Sequence, residues 1–118
     1  MGLDMYAYVA SEANADYEKR QDLAYWRKHP NLHGWMQKLW EEKGNSGEFN
    51  GDELELTWED IDMLEKDIKS GVVAKFDTQG FFFGHPSDDH YYEQDLKFCV
   101  DAKTETFLGR KVFYNSCW

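Results

Sequence analysis

Cysteine and proline are scarce, two of each in 118 residues. Cys99 and Cys117 do not form a Cys-x-x-Cys pair, so neither zinc binding nor thiol redox chemistry is indicated. Both are expected as reduced thiols of a cytosolic protein, and the fold does not need a bridge between them. No apolar run is long enough to cross a bilayer, and Met1-Gly2-Leu3-Asp4-Met5-Tyr6 has neither the basic segment nor the apolar stretch of a secretory signal. Gly2 does not open a myristoylation signal, because Tyr6 stands where Ser or Thr is wanted. Positive charge is also short. Thirteen Lys and Arg against 23 Asp and Glu leave a net charge of −10, which argues against a membrane surface or non-specific nucleic acid as partner. The common catalytic strings are missing. There is no His-Glu-x-x-His, and the glycines Gly80 and Gly84 flank three phenylalanines rather than a phosphate loop. Neither Ser116 nor Cys117 sits in a nucleophile elbow. No string calls for a cofactor.

The chain does have apolar and aromatic mass, 42% and 17% of its residues, enough for the core of one domain spanning residues 1–118. Leu3, Met5, Ala7 and Val9 alternate with polar or tyrosine neighbours, which predicts a strand with one buried face. Ser11 to Asp22 reads as loop or a frayed helical turn. Leu32, Trp35, Met36, Leu39 and Trp40 recur at helical spacing, with Pro30 or Asn31 to start the helix and Gly44 to end it. Thr57-Trp58-Glu59-Asp60 places a capping hydroxyl before two acids and starts a second helix with Ile61, Leu64 and Ile68 inside and Gly71 at its end. Phe81-Phe82-Phe83 reads as a strand. A third helix is expected from Ser87-Asp88-Asp89 to Gly109, with Tyr92, Leu96, Cys99, Val100, Lys103 and Phe107 along it, and a last strand from Lys111 to Tyr114. Glu53-Leu54-Glu55-Leu56 fits either an additional edge strand or extended loop. The expected fold is α+β, a small three- or four-stranded sheet with about three helices packed mainly on one face.

Two segments concentrate chemistry. Gly84 to Asp95 runs into a helix start, where Asp89 and Glu93, four apart, and Tyr92 and Asp95, three apart, are expected to share faces able to grip a cation or a proton. Capping of the helix by Ser87 or Asp88 is the plainer use of the same residues. His85 and His90 lack the spacing of a zinc pair. Tyr25-Trp26-Arg27-Lys28-His29 is the one compact positive group, and an arginine beside a tryptophan suits an anionic ligand with a flat ring. Its plainer reading buries Trp26 and pairs Arg27 and Lys28 with surface acids. His33, beside the apolar stripe of the first helix, reads more readily as a hydrogen-bonded boundary histidine than as a base.

The opening hexapeptide, Tyr25-Trp26-Arg27-Lys28, Leu32-His33-Gly34-Trp35, Gly80-Phe81-Phe82-Phe83-Gly84, Tyr91-Tyr92-Glu93-Gln94-Asp95 and Tyr114-Asn115-Ser116-Cys117-Trp118 together resemble a family of short bacteriophage and bacterial proteins. The resemblance runs over nearly the whole chain, although Cys117 stands where the family tends to have a serine. Some members are labelled phosphoglycerate kinase, but this chain is far too short for that two-domain enzyme and lacks its nucleotide-binding glycines. The resemblance implies work inside an infected bacterial cell and assigns no catalytic residue.

The expected function is binding of a small anionic ligand or a host protein in an aromatic and polar pocket. Trp26, Arg27, His33, Trp35, Asp89, Tyr91, Tyr92, Glu93, Tyr114 and Trp118 are the expected lining. One alternative is a small metal-assisted nucleotide hydrolase or transferase, with Glu93 or His33 as base and a cation at Asp88 or Asp89. The other is an acidic decoy that imitates nucleic acid, which requires the acids to lie on one side.

Overall fold

In the computed structural model, which describes residues 3–12, 16–27, 29–73 and 91–117, the early alternation becomes strand β1 (Asp4–Ala10). A short 3-10 turn at Tyr17–Lys19 leads to β2 (Gln21–Arg27), helix α1 (Pro30–Glu42) and β3 (Leu54–Leu56). Helices α2 (Trp58–Lys69) and α3 (Tyr91–Phe107) follow, and β4 (Lys111–Cys117) closes the order. The four strands form one antiparallel sheet ordered β2-β1-β4-β3. The architecture is thus α+β with a four-stranded sheet and three helices. No helix among the described residues is long and apolar enough to cross a membrane.

Alternation divides the sheet into two unlike faces. Met5, Ala7, Val9, Trp26, Leu54, Leu56, Val112 and Tyr114 are buried on the inner face, in one cluster with the apolar residues of all three helices. On the other face Tyr8, Ala10 and Phe113 form a small cluster of their own. Among the described residues, helices therefore cover one side of the sheet, and the second side carries tyrosines and charge.

Helix α1 begins with Pro30 at its first turn, where a missing amide costs nothing, and gives way to Gly44 at φ +100. Its residues Asn31 to Met36 are all buried, so this half of the helix is covered on every side. Helix α2 starts on a capping box: the Asp60 amide donates to Thr57 Oγ1 at 3.2 Å, and the Thr57 amide donates to Asp60 Oδ2 at 3.0 Å. Lys103 of α3 binds it to α2, reaching Asp62 and Glu65 at 2.8 and 2.9 Å with its ammonium 4.9 Å from the centre of the Trp58 ring.

Two local readings change and one open reading is decided. Strand β2 takes in the end of the expected loop, Gln21 and Asp22, and continues through residues 23–27, where no element was expected; Leu23 is an extra residue in the ladder, with Ala7 facing Ala24 while Tyr8 faces Asp22, and this bulge breaks the period of two. Glu53-Leu54-Glu55-Leu56 supplies an edge strand, with Leu54 opposite Tyr114 and Leu56 opposite Val112. Helix α3 is turned from its expected face. Its buried residues are Asp95, Phe98, Cys99 and Ala102, whereas Tyr92, Val100 and Phe107 are 48, 56 and 84% exposed. A buried acid on the inner stripe made the flanking apolar residues look like the core side. The expected strand at Phe81-Phe82-Phe83 and the start of the third helix at Ser87-Asp88-Asp89 lie outside the described residues.

Replacing Thr57 with Ala removes half of the capping box and leaves an end amide unpaired. Urea unfolding is expected to show a loss of about 1 kcal/mol with an unchanged slope.

Candidate functional site

Five of the ten expected lining residues, Trp26, Tyr91, His33, Tyr114 and Trp35, fall into three separate neighbourhoods. The first is built on Asp95, one turn into α3 and buried. One carboxylate oxygen accepts from Trp26 Nε1 at 2.9 Å, and the other lies 2.7 Å from His29 Nε2. His29 stacks on Tyr91 with ring centres 4.3 Å apart, and the Tyr91 hydroxyl donates to the Arg27 carbonyl. Gln94 adds a bond from Nε2 to the Tyr25 carbonyl at 2.7 Å. Together these contacts fasten α3 to the edge strand β2. Trp26 and Tyr91 do meet here, but Trp26 is buried and presents no ring to solvent. Arg27 follows it on the strand and so turns to the opposite face, where its Nε lies 3.9 Å from Asp4. The Trp26 and Arg27 side chains therefore do not grip one ligand between them.

The second neighbourhood is a closed core. His33 Nδ1 and the Tyr114 hydroxyl share a hydrogen bond of 2.8 Å, and His33 stacks on Phe49 at 5.3 Å, with Trp40 stacked on Phe49 in turn. His33 is fully buried, a core histidine rather than a boundary one. Burial pushes its pKa down to about 4 and pushes the Tyr114 phenol well up. A neutral histidine sealed in this way has no route to a proton on an outside substrate.

Trp35 marks the third. Its Nε1 donates to Asp67 Oδ2 at 2.7 Å, at the rim of a groove of about 460 Å³ between α1 and α2. Tyr92 and Glu93 are exposed on α3, and Tyr92 does not share the buried side of Asp95. Asp89 and Trp118 lie outside the described residues. Among the described residues no group of three His, Cys, Asp or Glu side chains is placed to hold a metal ion.

A fourth place has the form of a binding site and was not foreseen. On the face of the sheet opposite the described helices, Tyr6 and Tyr8 of β1, Tyr25 of β2 and Asn115 of β4 open a hollow of about 600 Å³, with Arg20, Asp22 and Leu23 on its wall. Tyr6 and Tyr25 are 42 and 50% exposed, and their rings lie 5.3 Å apart across the two strands. The Tyr25 hydroxyl donates to Asp4 Oδ1 at 2.8 Å, a bond that raises its pKa. Tyr8 lies deeper, stacked on Phe113 at 5.7 Å, with its hydroxyl donating to Glu53. Burial first and the Glu53 bond second raise its pKa as well. Arg20 covers it, Cζ 4.4 Å from the ring centre and one guanidinium nitrogen 3.9 Å from Glu53. The signal was present in the alternation of β1, where tyrosines occupy the places that polar residues usually take on an open sheet face. Comparison with family profiles, with curated proteins and with solved structures gives no match to this chain.

Two changes test the buried contacts. Asp95→Ala removes the acceptor of Trp26 Nε1 and the partner of His29, and is expected to cost about 3 kcal/mol in urea unfolding. For His33, the unfolded chain takes a proton near pH 6.5 and the folded chain not until about 4. Its stabilisation is complete above the upper value and drains away as pH falls between them, by about 2 kcal/mol at pH 5. The wild-type loss between pH 7 and pH 5 should exceed that of His33→Gln by this amount; equal losses would remove the assignment.

Proposed function

We propose that this chain is a binding domain that engages a partner protein through the tyrosine-lined hollow on the open face of its sheet. The observation that carries the reading is the half exposure of Tyr6 and Tyr25 beside a concavity that no described helix covers. Tyrosine delivers a large, stiff contact area with a polar tip, and it is enriched where proteins meet. Of the two expected occupants, a host protein suits this face better than a small anion, because Arg20 is already engaged by Tyr8 and Glu53 and three carboxylates stand close by. The resemblance to short phage and bacterial proteins makes a bacterial cell the place to look.

Affinity capture from a bacterial lysate, comparing wild type with the double variant Tyr6→Ala, Tyr25→Ala, tests the proposal. Both side chains are half exposed, so the variant is expected to keep a melting temperature within a few degrees. It should lose at least one protein that the wild type retains. Identical captured sets from the two folded proteins would reject the reading.

A further inference from the structure

The hollow already holds one positive charge in a particular way. The Arg20 guanidinium carbon lies over the Tyr8 ring, 4.4 Å from its centre, with the Glu53 carboxylate 3.9 Å from one of its nitrogens. A tyrosine face backed by an acid is therefore a seat that this surface supports for a cation. The same elements recur one residue pair along the sheet. Tyr6 and Tyr25 lie side by side at 5.3 Å, Asp4 accepts from the Tyr25 hydroxyl at 2.8 Å, and Asp22 stands on the wall. A phenol donating to a carboxylate pushes electron density into its ring, which strengthens attraction for a cation above it. The charge around the seat has the matching sign. Among the described residues around the hollow, Asp4, Asp22 and Glu53 outnumber Arg20 and Arg27 by one, on a chain whose net charge is −10.

We infer that the occupant of the hollow is an arginine or lysine side chain presented by a basic segment of a partner protein, resting on the Tyr6 and Tyr25 rings. The inference rests on the reading of this face as a binding surface and gives that surface its chemistry. One basic side chain fills only part of a hollow of about 600 Å³, so residues flanking it on the same segment take the remaining space. Phosphate or carboxylate ligands meet Asp4 and Asp22 and are repelled.

The test is a titration of the purified protein, followed by the backbone amide signals of Tyr6, Asp22 and Tyr25. Three probes are used: a capped Gly-Arg-Gly-Arg-Gly peptide, its glutamate counterpart and inorganic phosphate. The basic peptide should move these signals, and its affinity should fall as salt rises. Tyr25→Leu keeps an apolar side chain without the ring and should weaken binding about tenfold. Tyr25→Phe, which keeps the ring, should stay within about threefold of wild type. The inference is overturned if the acidic peptide or phosphate moves the same signals in place of the basic one, or if Tyr25→Leu binds as tightly as wild type. In the first case the face remains a binding surface of another chemistry, and in the second it binds without a cation resting on the Tyr25 ring. If none of the three probes moves the signals, the basic segment is again rejected, and the capture comparison decides separately whether the face binds anything.

Discussion

The alternation of side chains along β1 and β4, the two central strands, is the constraint on which the rest of the molecule depends. Met5, Ala7 and Val9 of β1 and Val112 and Tyr114 of β4 face one way and supply the floor on which three helices pack. Their neighbours Tyr6, Tyr8, Phe113 and Asn115 must then face the other way. The described helices all join the inner cluster, and among the described residues the second face is shaped by its own side chains and by Arg20 and Glu53 from the adjoining segments. A shift of one residue between β1 and β4 would send tyrosines into the core and core residues into water. Register and candidate function are the same fact here.

The buried polar groups serve this arrangement. Asp95 is an acid on the inner stripe of α3, a costly place for a carboxylate unless its oxygens are engaged. Trp26 and His29 engage both, and they come from the strand and turn that form the far edge of the sheet. The contact thereby fixes how α3 lies against β2, where packing of apolar side chains alone allows sliding. His33 and Tyr114 do similar work between α1 and β4, joining two buried polar tips by one bond. Both pairs resemble catalytic dyads in composition, but their place in the interior makes them fasteners.

Much of the frame was legible from residue order. The period of two gave β1, the stripe from Leu32 to Trp40 gave α1, and Thr57 with its following acids gave the start of α2. Strand β2 was hidden because the bulge at Leu23 breaks the alternation and because Tyr25 and Arg27 face water. The face of α3 was misjudged because a charged residue sits on its buried side and aromatic residues on its exposed one. Adjacency also misled: Trp26 and Arg27 are neighbours in the chain and opposites on the sheet. The hollow itself draws on three strands and a turn, and no local pattern announces such a meeting. What the chain did announce was an excess of tyrosine on the polar side of its first strand.

That excess also explains how a face that no described helix covers stays in water. A sheet surface of phenylalanines would be an aggregation hazard, whereas each phenol keeps one polar atom that a carboxylate can hold. The Tyr25 hydroxyl is held by Asp4 and the Tyr8 hydroxyl by Glu53. The acids thus satisfy the hydroxyls and give the face its sign, and the Tyr6 and Tyr25 rings stay half exposed as contact area. The acidic field acts beyond contact, over roughly 10 Å at ordinary ionic strength. The rings act only at touching distance. A partner that satisfies both must bring positive charge on a side chain with a flat or apolar body, which is a narrower demand than either property makes alone.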